Sequence, residues 1–327
     1  MLDTKTAEAR RLLREGTLAG RAGDMKAATN LYRQGLLLDP RASQADWDLL
    51  DESPAHFRER RAIYSLLAIR VEDMARSAYA EAKAAKELPA SRPLAFMYWG
   101  QGFDAAPPIV QACYLQAIQT HDPEDIVFLD NQNLHDWVEL PPVVMNLLQT
   151  KRAHFSDVLR VELLAKHGGV WLDSTCLATQ SMQAVFPDLV RGSGFFAFGK
   201  DKPGVISNWF LASEPGNYMT LMLRDALRLY YGAYDKPIMY FFMHQIFLYL
   251  TRLDDRFGRL WDKTTVMAAD PRAVNRALLK DVSDVDLDAL VAGSFVHKLT
   301  HKNKPELVTA STVQQTLINR YAPQSMA

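Results

Sequence analysis

The sequence predicts an α/β domain preceded by a small all-helical segment, divided at residues 1–88 and 89–327. Three observations lead there. The first 88 residues are rich in alanine and show no strand pattern. The rest alternates short apolar runs with helical periods, the grammar of a sheet covered by helices. Between the two, Glu87-Leu88-Pro89-Ala90-Ser91-Arg92-Pro93 changes composition and carries two prolines, which end helices.

Residues 9–40 place small and aromatic side chains at spacings that let two antiparallel helices approach closely. Gly16, Ala19, Ala28 and Gly35 are the small residues, Tyr32 fills the gap, and Pro40 ends the second helix. Ala22-Gly23-Asp24 breaks the pair, with Asp24 as N-cap. The pattern resembles a single tetratricopeptide unit, and a further helix spans His56 to Glu87. One unit makes no solenoid. It serves either as a docking module for a protein partner or as a helical cap on the second domain.

Beyond the break, Leu94–Trp99 reads as a strand, Pro108–Thr120 as a helix and Asp125–Leu129 as a second strand. Lys151–Lys166 is a strong helix. Gly168-Gly169 turns the chain into the strand Val170–Leu172. Uninterrupted apolar strands imply a buried, mostly parallel sheet. The most apolar stretch, Ile238–Leu250, includes His244 and Gln245 and falls short of the roughly 20 residues a membrane span needs. It reads as a buried helix, with His244 a hydrogen-bonded core histidine.

Hydrophobic residues make up 48% and charged residues 23%, and the net charge is -1. That balance supplies no field for nucleic acid, so no nucleic-acid partner is expected. Cys113 and Cys176 form neither a CxxC pair nor a zinc spacing, and a reducing compartment is expected. The charged start MLDTKTAEARRLLREG lacks an apolar leader core, so a cytoplasmic location is expected.

The chemistry concentrates in HFSDVLRVELLAKHGGVWLDST, residues 154–175. Asp157 and Arg160 share a helix face. Asp173 follows a short buried strand, at the carboxyl edge where open α/β sheets bind ligands. The plain alternative is an exposed Asp157–Arg160 ion pair worth a few tenths of a kcal/mol, about 0.2–0.5, with Asp173 as a turn residue.

The combination SDxxR, then GGVWLD, is similar to the sugar-nucleotide site of GT-A glycosyltransferases with a DxD motif, and most similar to the capsular polysaccharide synthesis branch. Tyr98-Trp99-Gly100-Gln101-Gly102, Ser207-Asn208-Trp209-Phe210 and Val296-His297-Lys298-Leu299 fall in the matching order, so the resemblance spans about residues 92–302. It implies a GT-A, Rossmann-like nucleotide-sugar domain, a nucleotide-sugar donor, and an oligosaccharide or polysaccharide acceptor. The expected transfer is of the hexosyl type, with retention. It implies that Asp173, Asp157 and Arg160 are catalytic, that Asp173 with His297 holds Mn2+ or Mg2+, and that Asp157, Arg160 and Ser156 bind sugar hydroxyls. Tyr98, Trp99, Gly100, Trp171, Thr175, Asn208 and Lys298 then bind the donor, Lys298 at the diphosphate. Peripheral association with the inner membrane also follows from it, because related proteins use lipid-linked acceptors.

One position departs from the motif. Its second acid falls on Thr175, so the triplet reads Asp-Ser-Thr. A hydroxyl brings no charge, and a hard cation prefers anionic oxygen, so the departure bears on metal dependence. Breaking an anomeric C–O bond leaves a nucleoside diphosphate and an oxocarbenium-like sugar. Fixed cations and N–H donors stabilise the first, carboxylates the second. Asp130 is a further acid at the sheet edge with its role open. Two other functions stay open at this level: a scaffold with a degenerate transferase domain, and a toxin-like protein glycosyltransferase. His297 as an ordinary strand histidine, Lys298 as a solvated lysine, and Trp99 and Trp171 as core aromatics are the corresponding plain alternatives.

Overall fold

The computed structural model describes residues 2–22, 27, 31, 34, 35, 38, 57–87, 92–199, 206–233, 237 and 240–322. Among the described residues the first elements with stated bounds are α1 (Leu2–Arg21) and α2 (Phe57–Ala85). Then follow β1 (Ala95–Tyr98), α3 (Pro108–Thr120), β2 (Ile126–Leu129), α4 (Pro142–Thr150), α5 (Arg152–His167), β3 (Gly169–Asp173) and β4 (Cys176–Ala178). The chain continues through α6 (Met182–Val190), β5 (Phe195–Phe198), β6 (Ser207–Ser213), α7 (Tyr218–Ala233), α8 (Phe242–Leu253) and α9 (Asp255–Lys263). It closes with α10 (Ala273–Ala277), α11 (Leu287–Ala292), β7 (Val296–Lys298) and α12 (Val313–Tyr321).

The main sheet has the order β2-β1-β3-β6-β5. β1 pairs in parallel with β2 and β3, while β6 runs antiparallel to both β3 and β5. The sheet is therefore mixed, where uninterrupted apolar strands alone suggest a mostly parallel one. A sheet buried on both faces erases the alternation that would reveal strand direction. Phe96, Trp171, Leu211 and Phe195 face one side, into a core shared with α2, α5, α7 and α8. Met97, Leu172, Phe210 and Phe196 face the other, into a core shared with α3, α6, α10, α12 and β7. This period-two division makes a three-layer α/β fold.

The α5–β3 connection depends on its two glycines. Gly168 has φ +66 and Gly169 φ +89, and a β-carbon would collide with Pro215 at the first and with the Leu94 backbone at the second. The turn therefore brings β3 directly alongside β1. β3 includes Asp173, paired in register with Tyr98, so the acid is the strand's last residue rather than the residue after it. The expected Asp125 start of β2 lies in a short 3-10 turn.

α2 docks on the body. Arg224 of α7 forms a two-pronged pair with Glu81, both contacts 2.8 Å. Tyr64 meets Tyr249 of α8 edge-on at 5.1 Å. Arg256 sits between Tyr79 and Tyr218, 4.6 Å from each ring. In α1, Gly16 is buried, and Gly35 lies so close to Ala9 and Leu13 that a side chain there would press on both. Asp24, Ala28, Tyr32 and Pro40 of the repeat-like pattern, and Pro89 of the expected boundary, lie outside the described residues. Among the described residues no helix is long and apolar enough to cross a membrane. The apolar stretch expected as a buried helix is α8, with Tyr240 and Phe241 exposed just before it.

Candidate active site

α5 runs beneath the sheet with most of its residues buried, including Asp157, Arg160 and Glu162. Buried charges require partners. Glu162 takes both prongs of Arg228, each 2.6 Å. Arg160 takes four partners at the carboxyl edge of β3. Its Nη1 donates to the Asn208 carbonyl at 2.7 Å and pairs with Asp157 at 3.1 Å. Its Nη2 donates to Ser156 Oγ at 3.0 Å and lies 3.4 Å from Asp173 Oδ1. The guanidinium also rests over the Trp171 ring, 5.2 Å from its centroid. Asn208 closes the arrangement by donating its amide to Asp157 Oδ1 at 2.8 Å.

Asp173 receives a second cation from the far end of the chain. β4 pairs antiparallel with β7, placing Lys298 opposite Cys176. The Lys298 ammonium donates to Asp173 Oδ2 and to Thr175 Oγ1, each at 2.7 Å. The Trp171 indole N–H donates to Asp173 Oδ1 at 3.0 Å. Burial pushes the Asp173 carboxyl up, but Lys298, then Arg160, then the two hydrogen bonds outweigh it and hold it below the usual carboxylate range. Asp157 goes the other way. Burial pushes it to about 6, Asp173 adds to the rise, and Arg160 and Asn208 only partly offset it.

The adjoining part of the edge is built from β1. Tyr98 donates its hydroxyl to Asn131 Oδ1 at 2.6 Å. Gly100 lies against both groups, with no room for a side chain. Trp99 is half-buried and meets His301 edge-on at 5.3 Å. Asp130 uses Oδ1 to accept the backbone N–H groups of Gln132 and Asn133, so it caps its own turn.

Asp157, Arg160, Ser156, Trp171, Asp173, Thr175, Asn208 and Lys298 therefore converge, while Tyr98, Trp99 and Gly100 lie on the adjoining strand end. Three expectations change. Arg160 and Asp157 side chains are only 5% and 9% exposed, so in this conformation Arg160 holds both Asp157 and Asp173 and neither side chain is turned to solvent. Trp171 is buried in the core and acts on Asp173 instead of lining a donor pocket. His297 does not reach Asp173. Successive strand residues point to opposite faces, so with Lys298 on the site His297 turns inward, where its Nε2 donates to the Val291 carbonyl at 2.9 Å. Cys176 is buried, which pushes its thiol up, as expected of a structural cysteine.

Sequence reasoning missed the back of the site. His154 Nδ1 lies 3.9 Å from Asp157 Oδ2. His154, His244 and Tyr231 each bury a polar atom with no hydrogen-bond partner. Burial, then the Arg160 charge, drives His244 down to about 4, so it is neutral at pH 7. The only sequence signal was a histidine inside an apolar run, which also fits an ordinary core position.

A family model for capsular polysaccharide synthesis proteins matches residues 52–320. The chain belongs to that family. The match extends past the 92–302 region of motif resemblance and takes in α2. No curated protein and no solved structure matches the chain. In this capsular polysaccharide synthesis protein the donor set at Asp173 does not fit the divalent cation that the motif implies. Asp173 Oδ2 already accepts from Lys298 and Oδ1 from Trp171, with the Arg160 guanidinium 3.4 Å from Oδ1, and His297 faces away. Among the described residues no three His, Cys, Asp or Glu side chains gather as a metal site.

Proposed function

We propose that the chain is a glycosyltransferase that moves a sugar from a nucleotide-sugar donor to a glycan acceptor in capsular or surface polysaccharide synthesis, with retention at the anomeric carbon. The observation that carries the reading is the convergence of Asp173, Arg160 and Lys298 at the carboxyl end of β3, beside the Tyr98–Trp99 strand end. Ligands of open α/β sheets sit at that edge.

In this reading the nucleobase lies against the Tyr98 and Trp99 rings. The diphosphate lies towards Lys298, whose side chain is 17% exposed, and the transferred sugar lies over Asp173, at 26%. The anomeric C–O bond breaks with its electron pair leaving on the diphosphate. The acceptor oxygen forms the new bond and gives up its proton to the departing diphosphate oxygen. Asp173, ionised well below neutral pH, faces the positive charge that grows on the sugar. Arg160, itself held by Asp157, Ser156 and the Asn208 carbonyl, fixes that carboxylate, so little reorganisation remains for the transition state. The transfer takes place on the cytoplasmic side of the membrane, where nucleotide sugars are made, and α1 and α2 offer a docking surface for a protein partner.

The test has two steps. Titration of nucleoside diphosphates and nucleotide sugars by calorimetry should find one donor that binds. Turnover of that donor should then fall at least about 100-fold in Asp173→Asn, the scale of losing one preorganised electrostatic group, with the melting temperature held. Retention is read from the anomeric configuration of the product by NMR. Unchanged turnover in Asp173→Asn would remove the assigned site.

A further inference from the structure

We infer that Lys298 occupies the place of the divalent cation, so that donor binding in this chain is independent of metal. The inference rests on the transferase reading above and concerns how the same site meets the diphosphate.

The geometry is specific. A cation bridging the first and third positions of the Asp-Ser-Thr triplet would lie between Asp173 and Thr175. The Lys298 ammonium lies there, 2.7 Å from an oxygen of each. A dication entering that space would have to displace the ammonium from Asp173 Oδ2, or remain within a few ångströms of a like charge. Charge balance points the same way. Two carboxylates suit a dication, whereas one carboxylate and one hydroxyl suit a monocation that donates hydrogen bonds. The acid missing at Thr175 and the lysine delivered by β7 are thus two halves of one change. The backbone fixes it. Lys298 N–H donates to the Pro271 carbonyl at 2.7 Å and Leu299 N–H to the Thr175 carbonyl at 2.9 Å, so β7 cannot slide without breaking the edge.

Further cations flank the Tyr98–Trp99 end. The Arg152 charge acts on Tyr98, and the Lys302 and Lys298 charges act on His301, which packs against Trp99. A diphosphate reaching this edge meets Lys298, held by Asp173 and Thr175, and the added positive charge of the exposed Arg152 and Lys302. It can draw Lys298 towards itself while Arg160 and the Trp171 N–H keep Asp173 in place.

The experiment is calorimetric titration of UDP and of GDP into the full chain, once with EDTA and once with Mn2+. It is repeated in Lys298→Met, which keeps the aliphatic stem, and in Lys298→Arg, which keeps the charge, each with its melting curve. The expected result is a nucleotide Kd equal within about twofold in EDTA and Mn2+. It should weaken at least tenfold in Lys298→Met and recover in part in Lys298→Arg. Binding that appears only with Mn2+, or a folded Lys298→Met that binds within twofold of the parent, overturns the inference and leaves the transferase reading intact. Absence of binding to either nucleotide and to every nucleotide sugar in all arms overturns both. Should Lys298→Met fail to fold, the EDTA and Mn2+ arms on the parent chain decide alone.

Discussion

Asp157 and Asp173 lean on the same guanidinium and end in opposite electrostatic states. Arg160 lies 3.1 Å from the first and 3.4 Å from the second. Yet Asp157 is raised to about 6 while Asp173 falls below its ordinary range. What separates them is the flank each belongs to. The α5 flank is closed, and beyond the arginine Asp157 receives the Asn208 amide, with the His154 ring 3.9 Å away. The β4–β7 flank is open at its edge and brings Lys298, with Trp171 beneath. One arginine does not keep both buried carboxylates in their ordinary range against desolvation. A second cation, supplied from far along the chain, brings Asp173 alone below that range.

The largest effect should come from removing what both flanks share. Arg160→Met keeps the stem but leaves Asp157 without its cation in a buried site. Breaking a buried pair from one side costs about 3–5 kcal/mol, and denaturant unfolding should show a loss on that scale together with a collapse of turnover. A loss under about 1 kcal/mol would mean that Asp157 relaxes to a neutral, hydrogen-bonded acid at little cost, and that the two flanks are less coupled than their shared arginine implies.

The asymmetry between the flanks also explains how much was readable in advance. SDxxR and GGVWLD are local, and helix period and glycine turns put Asp157, Arg160 and Asp173 near one edge from sequence alone. The short apolar strands Ala95–Tyr98 and Ile126–Leu129 were readable for the same reason. The β4–β7 flank is not local. Lys298 reaches Asp173 across the length of the domain, and β7 is a three-residue strand. So short a strand carries no alternation that says which of His297 and Lys298 faces the site. The family resemblance offered His297 as the ligand, and strand phase puts Lys298 on the site. Burial of Arg160 was equally invisible, because an i,i+3 Asp–Arg pair reads the same on an exposed helix. The antiparallel direction of β6 escaped notice because its apolar run is buried on both faces.

Asp157 sharpens the comparison through pH. Its folded-state value of about 6 lies above its ordinary 3.8. Between those values the folded chain binds a proton that the unfolded chain has released, so this group's contribution to stability falls as pH rises through that window. Asp157→Asn keeps the shape and cannot ionise. Its melting temperature relative to the parent should therefore rise by a few degrees from pH 4 to pH 7, on the order of 1–3 kcal/mol for a chain of this size. A constant difference across that range would place Asp157 in an ordinary ionised state. The electrostatic contrast between the flanks would then fail.

The smallest effect isolates a single N–H. Trp171→Phe keeps an aromatic ring in the core under Arg160 and deletes the indole donor to Asp173 Oδ1. A hydrogen bond to a charged group contributes about 1.5–3 kcal/mol, but Arg160 and Lys298 still hold the carboxylate, so the lower end applies and turnover should fall by roughly tenfold. The lost donor favoured the ionised form of Asp173, so the acid limb of the pH–rate profile should move to higher pH. A phenylalanine that merely loosened the core would lower the melting temperature and leave that limb where it was. Comparing the two readouts therefore separates packing from charge control. If neither the rate nor the acid limb changes, Asp173 is oriented by its two cations alone, and the β4–β7 flank carries the whole difference between the two acids.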